Sequence, residues 1–236
     1  MLPQLPERPQ ILDVGCGSGA QTRDLAQLTR GSVIAADIHP PFLQTLKSSI
    51  AAGHSCFGQV FPIAASMMSL PFKDGAFDLI WSEGAIYIMG FAAGLRSWRR
   101  FLRPGGCLVV SEATWLRDDA PSELRDFWAA GYPAMTTTAA NLATAQAEGY
   151  EALGHFVLPE NAWLEDYYAP LEERLHRFRD EHAGNAEAEA MVNETEREIS
   201  IYRRFSAWYG YVFYILKKGP DLFDPSSKPG GGLSPI

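Results

Sequence analysis

Cysteine is scarce: Cys16, Cys56 and Cys107 are the three in 236 residues, in no CxxC or CxxxH spacing. That excludes a disulfide framework and a cysteine-rich zinc site, leaves no metal to expect, and points to a reducing compartment, the cytoplasm. No stretch approaches the roughly 18 consecutive apolar residues of a membrane span. The first ten residues hold Pro3, Pro6 and Pro9 and no apolar run, which does not read as a secretory signal. Positive charge is also short, with 20 Lys+Arg against 28 Asp+Glu and a net charge of −8. Such a balance is poorly suited to a phosphate backbone, so neither a nucleic acid nor a membrane is expected as partner. There is no internal repeat. Hydrophobic residues at 47% nevertheless suffice for an ordinary globular core.

Up to about residue 112, short apolar runs alternate with longer mixed segments. Ile11-Leu12-Asp13-Val14 is a strand closed by glycines, and residues 20–30 read as a helix stopped by Gly31. Residues 32–36 read as a second strand. Residues 41–52, with Phe42, Leu43, Leu46 and Ile50 spaced by three and four, read as a helix closed by Gly53. Residues 59–64 and 77–81 follow as strands. Leu95, Trp98 and Leu102 mark a helix that Pro104-Gly105-Gly106 should break before a fifth strand, 107–110. This alternation predicts an α/β unit with a largely parallel sheet. Farther on, 122–130 and 139–148 read as helices, 155–158 as a strand, 165–182 and 186–202 as long charged helices, and 209–216 as the last strand. Residues 221–236, with three prolines and three consecutive glycines, read as a loose tail. The expectation is one domain over 1–220, with a core at 10–112 and helical cap elements at 114–150 and 163–206, the latter inserted between the last two strands.

Asp13-Val14-Gly15-Cys16-Gly17-Ser18-Gly19 follows a strand and precedes a helix, the context of a nucleotide-binding loop. Gly15, Gly17 and Ala20 also fit the dinucleotide fingerprint, which keeps an NAD-dependent oxidoreductase as an alternative. Two details favour another reading. Asp13 puts a carboxylate at the strand tip where it can engage an ammonium group, and glycine recurs at every second position. The loop resembles motif I of the class I S-adenosylmethionine-dependent methyltransferases, D/E-x-G-x-G-x-G. Asp37, 24 residues after Asp13, then resembles the acid that takes both ribose hydroxyls, and a carboxylate can accept two hydrogen bonds at once. Leu70-Pro71-Phe72 with Phe77-Asp78-Leu79-Ile80, and Leu102-Arg103-Pro104-Gly105-Gly106, are similar to the signatures of the type 11 subgroup. Longer stretches, 78–87, 111–113 and 156–161, resemble a bacterial and archaeal group of small-molecule methyltransferases.

The resemblance implies a Rossmann-like, doubly wound, seven-stranded, mostly parallel sheet with an antiparallel last strand. It implies S-adenosylmethionine as cofactor and S-adenosylhomocysteine as product, bound by Asp13, Gly15, Cys16, Gly17, Gly19, Asp37, Ile38, Ser66, Met67 and Glu83. Ser66 stands where many relatives have an Asp near the adenine amino group. Ten residues precede Ile11, too few for the helical lid of many relatives, so the missing wall is expected from the helical insertion or from a second subunit in a homodimer. A non-catalytic cofactor-binding scaffold is a third reading.

Methyl transfer from a sulfonium is an in-line displacement with a good leaving group, so alignment and exclusion of water matter more than a dedicated base. Glu83 is the first candidate base and Tyr87 the second, both just past the fourth strand where open α/β sheets bind ligands. Glu112, Trp115, Glu160, Asn161 and Tyr167 are candidates for the substrate pocket, with Tyr167 and Tyr168 expected to face the Glu83 region from a helical roof. The fourth strand ends Ser82-Glu83-Gly84-Ala85 rather than in an Asn-Pro-Pro-Tyr loop, and no Pro-Cys pair occurs. Both features weigh against nucleobase or RNA methylation and for a small-molecule acceptor. The aromatics Trp115, Trp128, Tyr132, Trp163, Tyr167 and Tyr168 would suit an apolar acceptor or simply a core. Arg96, Arg99, Arg100 and Arg103 read as a solvated helix face, and His155, expected at the start of its strand, as structural.

Overall fold

The computed structural model describes residues 5–52 and 58–220. Gly53, Cys56 and the tail expected at 221–236 lie outside the described residues. In chain order the elements are β1 (Gln10–Val14), α1 (Ala20–Thr29), β2 (Ser32–Asp37), α2 (Pro40–Ala51), β3 (Gln59–Ala64) and β4 (Phe77–Ser82). A 3-10 turn (Ile86–Ile88), α3 (Phe91–Arg99), β5 (Leu102–Trp115), α4 (Ser122–Gly131), β6 (Thr136–Thr137), α5 (Thr138–Ala147) and β7 (Tyr150–Val157) follow. The chain ends through α6 (Glu160–Trp163), a π-helical turn (Leu164–Tyr168), α7 (Ala169–Glu181), α8 (Ala186–Phe205) and β8 (Tyr209–Lys218).

The sheet runs β3-β2-β1-β4-β5-β8-β7, parallel except for β8, which pairs antiparallel with both neighbours. The expected seven-strand path is therefore present, and the two-residue β6 beside β5 adds an eighth strand. The strand order reverses at β1, which lies between β2 and β4, so the chain leaves the tips of β1 and β4 in opposite directions and opens a crevice there. Ser82 Oγ donates to the Val14 carbonyl at 3.0 Å and ties the two tips together. One sheet face packs Leu12, Ile80, Leu108 and Val212 against Leu95 and Trp98 of α3; the other packs Ile11, Leu79, Val109 and Phe213 against Leu25 of α1. A separate apolar cluster, built on Leu124, Tyr168, Val192 and Tyr202, holds α4, α7 and α8 together.

Four expectations are corrected. Pro104-Gly105-Gly106 does not end β5's pairing: Phe77 pairs with Leu102 and Leu79 with Cys107, so the intervening residues form a bulge inside one strand. The strand expected at 155–158 is β7 and begins at Tyr150, which puts His155 towards its C-terminal end. Its start was illegible because β7 is an edge strand exposed on both sides over most of its length, with no apolar alternation to read. Glu160 and Asn161 sit in the first turn of α6, started by Pro159, rather than on a strand. The helix expected from 165 therefore begins five residues earlier and passes through the π-helical turn. Arg96, Arg100 and Arg103 keep the solvated face expected of them while pairing with Glu148, Asp74 and Asp78, and Arg99 donates to the carbonyls of Gly219 and Pro220.

Candidate cofactor and acceptor site

The loop between β1 and α1 takes its shape from two glycines. Gly15 has φ +74°, and a Cβ there would lie 2.5 Å from the Ala85 Cβ, so the β1 and β4 loops approach too closely for any side chain. Gly19 has φ +84°, and its Cβ would lie 2.4 Å from Leu46 of α2. Both conformations disfavour L side chains, and the close packing turns that preference into a requirement. Gly15 and Cys16 donate their N–H groups to the Ala36 carbonyl at 2.8 and 3.1 Å, which fastens the loop to β2.

Asp37 ends β2 beside this loop, nearly buried, and its two oxygens accept from the Gly17 N–H at 2.9 Å and the His39 N–H at 2.8 Å. Each carboxylate oxygen keeps a lone pair, enough to take a pair of vicinal hydroxyls. Ile38, next in the chain, is 61% exposed, an apolar surface beside that acid. Asp13 is buried at the tip of β1, where Thr22 Oγ1 donates to it at 2.6 Å. Burial, reinforced by Glu83 and Asp37, pushes its pKa up to about 7 against the Thr22 hydrogen bond. A carboxyl so placed gains from an ammonium partner. Burial likewise pushes the Cys16 thiol up to about 12, which leaves it protonated and unreactive. The Ser66 hydroxyl accepts from the Met68 N–H at 3.3 Å, and the Met67 methyl lies 3.7 Å from the place a Gly15 Cβ would occupy.

A cavity of about 640 Å³ opens from the β4 tip. Gln21, Glu83 and Gly84 line its inner end; Tyr87, Tyr132 and Tyr211 line its walls; Trp163, Asp166, Tyr167 and Glu198 close it from the helical insertion. Glu83 is held in place through Gly84, whose N–H donates to Ser111 Oγ at 2.8 Å. Burial raises the pKa of Glu83, against a hydrogen bond from Gln21. Tyr168 turns away: it is buried in the helical cluster and donates its hydroxyl to Glu198 at 3.1 Å.

The sequence candidates thus divide. Glu83, Tyr87 and Tyr167 share the cavity. Trp115 lines a neighbouring hollow of about 320 Å³ with Arg117, Trp128 and Met135. Glu160 accepts from Ser206 at 2.8 Å and, like Asn161, is exposed and lies outside the cavity lining. Glu112 lies beneath the cavity on β5, 2% exposed, with Tyr132 as its partner and its Oε2 without a hydrogen bond among the described residues. Gln21, Ser111, Asp166, Glu198 and Tyr211 belong to the lining and were not among the site candidates, though Ser111 falls in the stretch 111–113 that carries a family resemblance. They come from five separate elements and meet only when the insertion folds over the sheet edge.

Burial pushes the Glu112 carboxyl up to about 7 against the Tyr132 hydrogen bond, and an unfolded chain would restore it to near 4.5. A raised carboxyl binds its proton more tightly in the fold. Its contribution is therefore complete below about pH 4.5 and is lost as the pH rises through about 7, some ~3 kcal/mol in all. The wild-type melting temperature should fall between pH 5 and 7.5. In Glu112→Gln, which keeps an acceptor for Tyr132, that fall should be clearly shallower, with the remainder carried by Asp13. Equal pH slopes for the two proteins would contradict this protonation state.

Comparison with known proteins adds three findings. Residues 11–106 match the family model described as a methyltransferase domain. The malonyl-[acyl-carrier protein] O-methyltransferase of Pseudescherichia vulneris is 33% identical over 133 residues, which is 55% of this chain and 49% of that protein. The demethylmenaquinone methyltransferase of Mycolicibacterium gilvum is 34% identical over 136 residues, 57% of this chain and 55% of that one. The chain spans about half the length of these curated relatives. Among solved structures, an S-adenosylmethionine-dependent methyltransferase from Thiobacillus denitrificans in complex with S-adenosyl-L-homocysteine has a TM-score of 0.75 at 20% identity, over 90% of this chain and 86% of that one. That likeness is one of fold.

Proposed function

We propose, for a chain whose residues 11–106 match a methyltransferase domain, that it is a class I S-adenosylmethionine-dependent methyltransferase and passes a methyl group directly to a small-molecule acceptor seated in the cavity at the β4 tip. The observation that carries this reading is the continuity of two sites. The Gly15–Gly19 loop with Asp37 offers a cradle for an adenosine, and the cavity begins one residue past β4, at Glu83. When bound, the cofactor supplies an electrophilic methyl on a sulfonium, whose departure leaves a neutral thioether.

The chain's own residues do the rest. Asp37 accepts the ribose hydroxyls, Ile38 and Met67 flank the adenine, and Asp13 pairs with the ammonium group of the methionine portion. Glu83 stands at the junction, where it orients the acceptor and takes a proton from it. The helical insertion with Trp163 and Tyr167 excludes water from the transfer. The relatives' names cover a malonyl-[acyl-carrier protein] and a demethylmenaquinone, acceptors of unlike chemistry, so names do not choose the acceptor. Protection against heat tests the reading. S-adenosylmethionine and S-adenosylhomocysteine at a hundred times their dissociation constants should each add about 2.7 kcal/mol of stability, and NAD should add nothing. Stabilisation by NAD alone would overturn it in favour of a dinucleotide-dependent oxidoreductase.

A further inference from the structure

The cavity carries charge of one sign. Among the described residues that line it are three carboxylates, Glu83 at the inner end and Asp166 and Glu198 on the helical side, and no Lys, Arg or His. Arg174, the cation that acts on Tyr167 electrostatically, does not line the cavity. Between the carboxylates stand aromatic faces. Tyr87 and Tyr132 meet edge to face at 6.1 Å, Trp163 and Tyr167 at 5.6 Å, and Trp163 and Tyr211 lie 4.8 Å apart. No group of three His, Cys, Asp or Glu among the described residues is arranged to hold a metal ion, so the carboxylates do not form a metal cluster. Asp166 and Tyr167 reach the cavity from the π-helical turn, a widened turn often found at functional sites.

Resting on the function proposed above, we infer that the acceptor is a small amine: an aromatic or apolar body carrying a nitrogen that enters protonated. Aromatic faces attract an ammonium through their quadrupole, and carboxylates attract it through charge. The same lining repels a carboxylate or a phosphate, which would find no cation to meet it. Burial raises the pKa of Glu198 as it does that of Glu83, a cost that a bound cation removes. In the transfer, Glu83 takes the proton of the ammonium. The freed nitrogen lone pair forms the new N–C bond while the C–S bond breaks with its electrons onto sulfur. The product leaves as a methylated ammonium, and Glu83 returns its proton to water.

Calorimetric titration of the full chain saturated with S-adenosylhomocysteine tests the inference without turnover. Benzylamine, phenethylamine and tryptamine are each compared with the corresponding alcohol and carboxylate. At least one amine should bind roughly tenfold or more tightly than its alcohol, and the carboxylates should bind weakest. Asp166→Asn and Glu198→Gln should each weaken that amine about tenfold and leave S-adenosylhomocysteine affinity unchanged. Because Glu198 also holds Tyr168, Asp166→Asn, at a partly solvated position, is the decisive variant if Glu198→Gln loses stability. Equal affinity across the three chemistries, preference for a carboxylate, no amine binding at millimolar concentration, or full amine affinity in Asp166→Asn would overturn the inference. Failure of S-adenosylhomocysteine itself to bind would instead strike the function beneath it.

Discussion

Asp37→Ala should weaken S-adenosylhomocysteine binding by about 1.5–3 kcal/mol, roughly 10- to 150-fold, the range for hydrogen bonds to a charged acceptor. The carboxylate sits at the end of β2 with each oxygen already oriented by one backbone N–H, from Gly17 and from His39. It is thus fixed before a ligand arrives, and little ordering cost offsets the bonds it makes. The same two contacts brace the glycine loop, so some loss of stability is also expected. Asp37→Asn, which keeps one acceptor oxygen and leaves one of the two backbone N–H groups facing a donor, should lie between wild type and Asp37→Ala in affinity. Unchanged affinity in Asp37→Ala, measured by calorimetry, would remove Asp37 from the cofactor site.

Glu83→Gln should keep the fold and most of the affinity for S-adenosylhomocysteine while slowing methyl transfer by roughly 10²–10⁴, the usual contribution of a general base. Glutamine has the size of the native side chain and can still bond Gln21, so the variant removes charge and basicity rather than shape. The product lacks the sulfonium charge, which is why its binding should be spared. Tyr87→Phe should cost far less, because that ring is half exposed and engaged edge to face with Tyr132 rather than with another charge. Retained turnover with only a lower melting temperature in Glu83→Gln would mean that Glu83 merely fixes the turn after β4. The proton acceptor would then be sought among Asp166, Glu198 and Glu112.

The sheet core and the cofactor side of the site were legible in the sequence because they rest on local signals. Asp13 and the three glycines lie within seven residues, Asp37 closes the next strand, and β1 and β4 are apolar runs buried on both faces. The acceptor side was not legible as a site. Trp128, Tyr132, Trp163 and Tyr167 stood out only as aromatic content, and nothing in sequence spacing separates a ring that faces a cavity from one that fills a core. Tyr168, of the same chemistry, is buried in the helical cluster, against which Trp128, Tyr132 and Trp163 also pack. Asp166 and Glu198 read as ordinary solvated charges on long helices. Their placement in one cavity with Glu83 follows from tertiary packing, in which Leu124, Tyr168, Val192 and Tyr202 seat the insertion over the sheet edge. The bulge at Pro104-Gly105-Gly106 was hidden for a related reason: pairing with β4 resumes beyond it, and no local signal marks a break that the partner strand spans.

The most direct test of the account is a crystal structure of the full chain with S-adenosylhomocysteine. The adenosine is expected in the crevice between the β1 and β2 tips, with both ribose hydroxyls within hydrogen-bonding distance of Asp37, the ammonium group towards Asp13, and the sulfur facing Glu83 at the inner end of the cavity. Density for the ligand at any other place, or a ribose that leaves Asp37 uncontacted, would contradict it.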